Sequence, residues 1–259
     1  MLFYKLKKTA VSAAAIVVIV STSVIPASAA EPNIVTYETA GIVEFEPSKE
    51  VTEAVDPTDP GTVVTPTNPD GSLVTPGTPG PLSIDFASTL DFGLNQISSA
   101  DQTYFAKPQV VSVTKDGITT TKNVPNYVQV TDNRGTNAGW TLTVKQNDQL
   151  KNAATLNSTL TGAQISLNNG TAISAMNGVT APTAVSTIRL NPSGAEAVVM
   201  SAAAGSGVGT WVDAFGTIET VAGEEKNTSI TLYVPGSTPK DAVRYSTTLT
   251  WTVSDIVIN

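Results

Sequence analysis

The feature that most constrains the fold is the strict alternation of side chains in residues 245–255 (YSTTLTWTVSD). Counting by two separates an apolar set from a hydroxyl set: Thr247, Leu249, Trp251 and Val253 against Thr248, Thr250, Thr252 and Ser254. Successive side chains of a strand point to opposite faces, so this pattern predicts a β-strand. Its apolar face, which carries a Trp, is expected to lie on a core, and its hydroxyl face is expected to face solvent.

The same pattern occurs much earlier, in residues 139–145 (GWTLTVK). There Trp140, Leu142 and Val144 share one face, and Thr141 and Thr143 share the other. Two short Trp-Thr-aliphatic strands, about a hundred residues apart, are the strongest structural signal in the chain.

The rest of residues 82–259 is a succession of short strand-like runs and turns. Asp116-Gly117 and Asn169-Gly170 are two-residue turns of the kind that closes hairpins, and each lies between β-like runs. No window has a convincing helical period. We therefore predict an all-β fold, with a β-sandwich-like domain of many short strands over residues 82–259. The predicted strands include residues 82–86, 109–114, 118–122, 127–131, 140–145, 163–167, 171–174, 186–190, 196–200, 209–214 and 229–234.

Residues 1–30 have the layout of a secretory signal peptide. Three lysines precede an uncharged stretch rich in Ala, Val and Ile, and residues 27–29 (ASA) offer a cleavage site. A retained transmembrane anchor is the alternative, which Pro26 and the small residues at the expected cut disfavour. We therefore predict an exported protein.

Two segments separate the predicted leader from the main domain. Residues 31–46 contain two β-like runs around a Gly, which predict a short β segment that docks on the main domain, because an isolated hairpin is marginal in water. Residues 47–81 are rich in Pro and Thr and poor in apolar residues, which predicts an extended linker. A Pro-rich recognition ligand is the alternative interpretation of this second segment.

Composition narrows the classes of function. The chain has no Cys and no His, which excludes disulfides, Cys and Ser-His nucleophilic sites, and zinc sites built on His or Cys. The formal net charge is −8, and it becomes −11 once the three lysines of residues 1–30 are removed with the leader. Nucleic acid and anionic membranes repel such a chain. We expect no enzyme activity, no cofactor, no metal, no nucleic-acid partner and no membrane insertion after signal cleavage.

The Trp residues allow two interpretations. Trp140 and Trp251 share their faces with Leu and Val, which favours burial in the core. Alternatively, both rings line a surface platform for sugars or a protein partner, since rigid aromatic side chains are frequent anchors. Trp211 is a further candidate, because Asp213 falls on its face and predicts an exposed or half-exposed ring.

These segments resemble the WxL-domain surface proteins of low-GC Gram-positive bacteria. The matching stretches are residues 127–144 (YVQVTDNRGTNAGWTLTV), 209–216 (GTWVDAFG) and 247–254 (TTLTWTVS), with the motifs Trp140-Thr141-Leu142 and Trp251-Thr252-Val253. The V-E-F segment at residues 43–45 and the Pro-rich stretch also fit that layout. The second motif ends in Val rather than Leu, which keeps the face apolar and loses only about one methylene.

The resemblance implies a non-catalytic cell-surface protein that attaches non-covalently to the Gram-positive cell wall, with peptidoglycan as the ligand. Membrane-anchored surface proteins of the same gene cluster are the implied partners. No sorting signal with a hydrophobic tail follows Trp251, so covalent anchoring is not expected. Two alternatives stay open: a structural subunit of a surface complex that reaches the wall through another protein, and an adhesin for host glycans or matrix proteins.

If the motif Trp residues point inward, the motif marks the fold and a ligand must contact other residues. The loop after residue 131 offers Asp132, Asn133 and Arg134, whose planar guanidinium suits carboxylates and sugar hydroxyls. A self-capped turn is the alternative for this loop. Trp211 and Asp213 complete the set of predicted contact residues.

Overall fold

The computed structural model describes residues 33–257, and over that range it consists of strands and loops without a helix. No helix that could span a membrane was therefore found in this range. The all-β prediction is confirmed. The described strands are β1 (Val55–Asp56), β2 (Asp59–Val63), β3 (Thr65–Thr67), β4 (Leu82–Ala87), β5 (Gln102–Ala106), β6 (Gln109–Lys115), β7 (Ile118–Val124), β8 (Tyr127–Asp132), β9 (Trp140–Gln146), β10 (Gln164–Asn168), β11 (Gly170–Ile173), β12 (Thr183–Ala184), β13 (Thr187–Arg189), β14 (Ala197–Ala202), β15 (Gly209–Phe215), β16 (Ile218–Val221), β17 (Glu224–Val234) and β18 (Leu249–Ser254).

Three larger sheets and two small ones contain these strands. The first sheet has the order β11-β15-β8-β4, and the second has the order β12-β14-β9-β18. The third has the order β13-β10-β17-β16, with β5 also paired to β17. The small sheets are β1-β2 and β3-β6-β7. All these described pairings are antiparallel.

The three larger sheets share one hydrophobic core, called the main core below. The first sheet contributes Val130, the second Trp140 and Leu142, and the third Ile165 and Ile230. In β9 the predicted alternation holds on this side, since Trp140, Leu142 and Val144 are all fully buried. The main core therefore rests on the period-two pattern that the sequence displays.

The first sheet is buried on its other face as well. In β15, Trp211 and Phe215 belong to the main core, while Val212 and Ala214 point to a second core. The second core also holds Tyr127 of β8, whose ring centroid lies 4.7 Å from that of Phe86. A strand covered on both faces has no solvent-facing side, which explains why all six residues of β8 are buried.

The prediction that residues 47–81 form an extended linker is wrong where the chain forms β1, β2 and β3. Val64 is buried in the second core. The side-chain amide of Gln129 accepts from the backbone N–H of Val55 at 2.8 Å and donates to the backbone oxygen of Glu53 at 2.9 Å. The segment has few apolar residues because it covers the outer face of an existing sheet and does not build a core of its own.

An ion pair with one buried partner connects this segment to the β6–β7 hairpin. The buried side chain of Asp56 pairs with the half-exposed Lys122, and it accepts the backbone N–H and the hydroxyl of Thr58 at 2.9 and 2.7 Å. Burial acts to raise the pKa of Asp56, but the bonds from Lys122 and Thr58 outweigh it and hold that pKa below its ordinary value. The carboxylate therefore contributes stability above its unfolded pKa, and this is lost as pH falls through the folded pKa.

Replacing Lys122 with Met is expected to loosen residues 51–67 at neutral pH, because it leaves the Asp56 carboxylate buried without its cation. The stability loss is about 1 kcal/mol, since Lys122 is partly solvated. Limited proteolysis with mass spectrometry measures it as faster cleavage between residues 47 and 81. Lys115→Met, at the exposed tip of the same hairpin, is the matched control. Equal cleavage in the two variants would show that the ion pair does not hold the segment.

One of the two predicted hairpins is confirmed, and the other is wrong. β6 and β7 pair with Lys115 opposite Ile118, and the turn residues Asp116 and Gly117 have φ values of 52° and 77°. β10 and β11, on either side of residues 169 and 170, do not pair with each other, because β10 belongs to the third sheet and β11 to the first. Gly170 is needed there for close packing, since a Cβ would lie 2.8 Å from the backbone oxygen of Val185.

Residues 33–44 belong to a separate unit from the chain that follows. The two β-like runs predicted within residues 31–46 are not strands over residues 33–46, and Tyr37 is 91% exposed and Ile42 93%. Docking of this segment stays a prediction. The predicted signal peptide, residues 1–30, lies outside the described residues.

Candidate functional site

The two Trp-Thr-aliphatic strands, β9 and β18, are hydrogen-bonded neighbours in the second sheet. Trp251 lies opposite Val144, and Val253 lies opposite Leu142. Directly opposite residues share a face, so Trp140 and Trp251 lie on the same side of the sheet, about 13 Å apart along the strands. The structure thus brings together two sequence motifs that are about a hundred residues apart.

Trp140 is a core residue. Its side chain is 0% exposed, and its indole N–H donates to the backbone oxygen of Gly207 at 2.9 Å. Gly207 has to be Gly, because a Cβ there would lie 2.8 Å from the indole nitrogen and its φ is 72°. The ring therefore lies in the main core against the backbone of Gly207, and the interpretation of both motif rings as a surface platform is wrong for Trp140.

Trp211 is also a core residue, and the prediction of an exposed or half-exposed ring is wrong. It is 5% exposed, and its indole N–H donates to the backbone oxygen of Val208 at 2.9 Å. Asp213 lies on the same face, as the spacing predicts, but it is buried with the ring. Asp213 wrongly predicted exposure of the Trp211 ring, because β15 is covered on both faces.

Asp213 is an unusual group at this position. Its side chain is fully buried, and neither carboxylate oxygen has a well-formed hydrogen bond among the described residues. Burial raises the pKa of Asp213 to about 7, although the nearby backbone N–H of Thr171 acts to lower it. Its predicted role in ligand contact has no support from this position, since a ligand cannot reach a carboxyl group inside the sheet packing.

Trp251 differs from the other two Trp residues. β18 is the outer strand of the second sheet, and Trp251 is only half-buried against the main core. Within residues 33–257, its indole N–H has no hydrogen-bond partner, whereas those of Trp140 and Trp211 are both bonded to carbonyl oxygens. Trp251 is thus the described Trp that can offer both an aromatic face and an N–H donor to a ligand.

A groove of about 430 Å³ lies beside Trp251, between the outer strands β4 and β18. Its lining includes Leu249, Thr250 and Trp251 of β18 and residues 84–87 of β4. Residues 74–78 lie along β4, where the backbone N–H of Thr78 donates to the backbone oxygen of Ile84 at 2.9 Å. The outer edges of the first and second sheets therefore combine into one surface site.

The groove is close to electrically neutral. Neither Lys nor Arg is among its described lining residues, and Asp85 is the acidic residue among them. Asp85 is buried and accepts from the Ser83 hydroxyl at 2.6 Å, the Thr131 hydroxyl at 2.6 Å and the Gln129 amide at 2.9 Å. Burial raises the pKa of Asp85 despite these three donors, which favours its neutral form.

The predicted contact loop is largely self-capped. The Arg134 guanidinium donates to both carboxylate oxygens of the buried Asp132, at 2.9 and 2.8 Å, and to the backbone oxygen of Gly139 at 2.7 Å. Hydrogen bonding to Asp132 raises the pKa of Arg134. Asn133 is exposed and lines a second groove of about 420 Å³, which has no aromatic residue among its described lining. Of the five predicted contact residues, Asn133 is the exposed one.

The hydroxyl faces of the motifs are covered unevenly. Thr252 is exposed, as the alternation predicts, whereas Thr141 is buried. Asn147 bridges the exposed hydroxyls of Thr248 and Thr250 at 2.8 and 3.0 Å, which ties the start of β18 to the end of β9. The hydroxyl face therefore includes part of the contact that holds the two strands together.

Comparison with known proteins gives a family. The family model for the WxL domain, described as surface cell wall-binding, matches residues 33–256. The chain belongs to the WxL family. No curated protein and no solved structure matches it significantly. The WxL domain is a cell wall-binding domain, so this is a surface cell wall-binding protein.

The structure separates two roles within the paired WxL motifs. The first motif, in the central strand β9, is part of the core, and the second, in the edge strand β18, reaches the surface. Sequence reasoning missed the rest of the groove, namely residues 74–78 and the side chains of β4. The Thr and Pro content of residues 74–78 had indicated a linker, and no local signal shows that this segment lies against β4.

Proposed function

We propose that the protein is exported to the cell surface and attaches non-covalently to peptidoglycan, without catalysing a reaction. The observation that carries the proposal is the match of residues 33–256 to a surface cell wall-binding family, in a fold that places Trp251 of the second WxL motif at a groove. The signal-peptide pattern of residues 1–30 supports the export step.

The chemistry of the groove supports binding without turnover. Catalysis of glycan or peptide cleavage commonly uses a pair of groups that exchange protons with the substrate. Among the described lining residues only Asp85 carries a carboxyl group, and that group is buried and accepts from three side chains. A surface of hydroxyl, amide and aromatic groups is suited to holding a polymer.

Co-sedimentation with purified peptidoglycan tests the proposal. The pure protein, without other proteins, is expected to pellet with peptidoglycan sacculi and to leave the glycan and peptide bonds intact by mass spectrometry. If the protein stays in the supernatant and pellets only with a membrane-anchored partner present, it is a structural subunit of a surface complex. Release of soluble fragments would instead identify a hydrolase.

Charge predicts how this attachment depends on pH. The mature chain carries an excess of acidic groups, and the sequence pI is about 4.5, so it is repelled by a wall that contains anionic teichoic acids. Binding to intact walls is therefore expected to strengthen between pH 7.5 and pH 5, or as salt screens the repulsion. Walls stripped of teichoic acid are the control, and they should show little pH effect. Equal binding to intact walls at both pH values and at all salt concentrations would contradict this.

A further inference from the structure

We infer that the groove between β4 and β18 binds an uncharged glycan strand of N-acetylated amino sugars, with Trp251 as the stacking residue. This inference rests on the proposed function and names the part of the wall polymer that the groove recognises. Peptidoglycan contains a polysaccharide backbone with acetamido groups, peptides with carboxylates, and attached anionic polymers, and these offer different chemistry to a binding site.

Charge favours the glycan among these components. An anionic polymer or a peptide carboxylate needs cationic or strongly donating groups, and the described lining of the groove contains neither Lys nor Arg. Asp85 of β4 supplies no positive charge either, since its carboxyl group is buried and accepts from three side chains. The groove therefore suits a neutral ligand.

The polar and apolar groups of the groove are distributed as a sugar ring requires. Trp251 and Pro76 offer flat apolar surfaces, which pack against the C–H faces of a pyranose. Thr75 offers a hydroxyl group on the same groove, and the Thr89 hydroxyl, which donates to the Asn68 amide oxygen at 3.2 Å, can still accept from a ring hydroxyl. The Asn68 amide N–H groups are already used, since they donate to Ser72 and Leu73. The unpartnered indole N–H of Trp251 adds a donor next to the aromatic face.

The backbone groups at the outer edge of β18 are the reason we expect the acetamido group to contribute to binding. Asn147 donates its backbone N–H to the backbone oxygen of Thr248 at 3.0 Å, so Thr248 faces β9. Backbone direction alternates along an antiparallel strand, which turns the N–H and C=O groups of Leu249, Trp251 and Val253 away from β9. An acetamido group is itself a secondary amide, and it can pair with this edge as an added strand would.

Isothermal titration calorimetry with a soluble probe tests the inference. The probe is a hexamer of β-1,4-linked N-acetylglucosamine, and the comparison ligand is cellohexaose, which lacks the acetamido groups. The native protein is expected to bind the first, and to bind the second at least about tenfold more weakly. Trp251→Leu, which keeps apolar volume on the main core, is expected to lose about tenfold in affinity for the first. Ile118→Ala, at an exposed hairpin tip, is the control and should bind as the native protein does.

The outcomes separate this inference from the proposed function. If the native protein pellets with sacculi, but binds only peptides released by an amidase or only teichoic acid, the groove assignment is overturned and wall attachment stands. The same holds if Trp251→Leu binds the hexamer and pellets as the native protein does. If the native protein does not pellet with sacculi under any condition, wall attachment itself fails. A hexamer that binds natively and is lost in Trp251→Leu, with circular dichroism unchanged, supports the inference.

Discussion

Replacing Trp140 with Ala is expected to remove most of the stability of the domain. The side chain is fully buried in the main core, where large-to-small substitutions of aromatic residues cost about 3–5 kcal/mol. The substitution also leaves the backbone oxygen of Gly207 without its 2.9 Å bond from the indole N–H. A loss of this size is a large fraction of the stability of a typical domain, so the variant is expected to be partly unfolded at 37 °C.

Urea denaturation followed by circular dichroism measures this effect. Leu156→Ala is the control, because Leu156 is almost fully exposed and its truncation should change the midpoint little. Trp140→Phe keeps a ring in the cavity, and it is expected to fall between the native protein and Trp140→Ala. A Trp140→Ala variant as stable as the control would show that Trp140 is not a core residue.

Replacing Asp213 with Asn is expected to stabilise the protein at pH 8 by about 2 kcal/mol and to change little at pH 4. Burial raises the pKa of Asp213 from its ordinary 3.8 to about 7. The folded state therefore holds this proton more tightly than the unfolded chain does. The destabilisation that the buried Asp213 carboxylate causes is absent below the unfolded pKa. It grows between about pH 4 and pH 7, and it reaches its full size above about pH 7. The full cost is roughly 4 kcal/mol, and the buried amide of Asn offsets part of the gain.

Thermal unfolding across pH 4 to pH 8 checks this prediction. The native protein is expected to lose stability as the pH rises through this range, and Asp213→Asn is expected to flatten that part of the profile. Glu219→Gln is the matched control, because it removes an acidic group from an exposed position. If Asp213→Asn and the control have the same pH profile as the native protein, Asp213 is not the buried titrating group.

The features that could be predicted correctly from the sequence are those that the residue pattern of a short segment determines. The alternation in residues 140–145 predicted β9 correctly, and the strand predicted over residues 245–255 is confirmed over Leu249–Ser254, with residues 245–248 outside it. Such alternation can be seen locally because side-chain direction in a strand is fixed by its own backbone. The Asp116-Gly117 hairpin was also predictable from a short segment. Both residues adopt positive φ, and the residues on either side of them, Lys115 and Ile118, pair directly. The WxL resemblance, which combines such local segments, was confirmed by the family match.

The strands and the ordered segment that the sequence did not predict depend on contacts with residues far away in the chain. β5 and β16 were not predicted, and each depends on pairing with β17. Residues 55–67 have the composition of a linker, yet they are ordered by Asp56, Lys122 and Gln129, whose partners lie far apart in sequence. Nothing within a short window distinguishes such a covering segment from an extended chain.

The residues of the candidate site could be predicted only in part, for the same reason. β9 and β18 have almost the same alternation, but β9 is a central strand and β18 is at the sheet edge. This difference in position leaves Trp140 fully buried and Trp251 only half-buried. Arg134 illustrates the converse: its side chain suits ligand recognition, but Asp132 and Gly139 already occupy its donors. Contact residues are therefore set by sheet order and by neighbours more than by residue type.

Acrylamide quenching of Trp fluorescence, with and without the N-acetylglucosamine hexamer, shows whether Trp251 faces solvent and ligand while the other two rings do not. We expect acrylamide to quench one component of the native emission, Trp251→Phe to lack this component, and the hexamer to protect it. The emission of Trp140 and Trp211 should resist quenching throughout, since both rings are buried. Quenching that is the same in Trp251→Phe as in the native protein, or that the hexamer leaves unchanged, would contradict the assignment of the half-buried Trp251 as the Trp that contacts solvent and ligand.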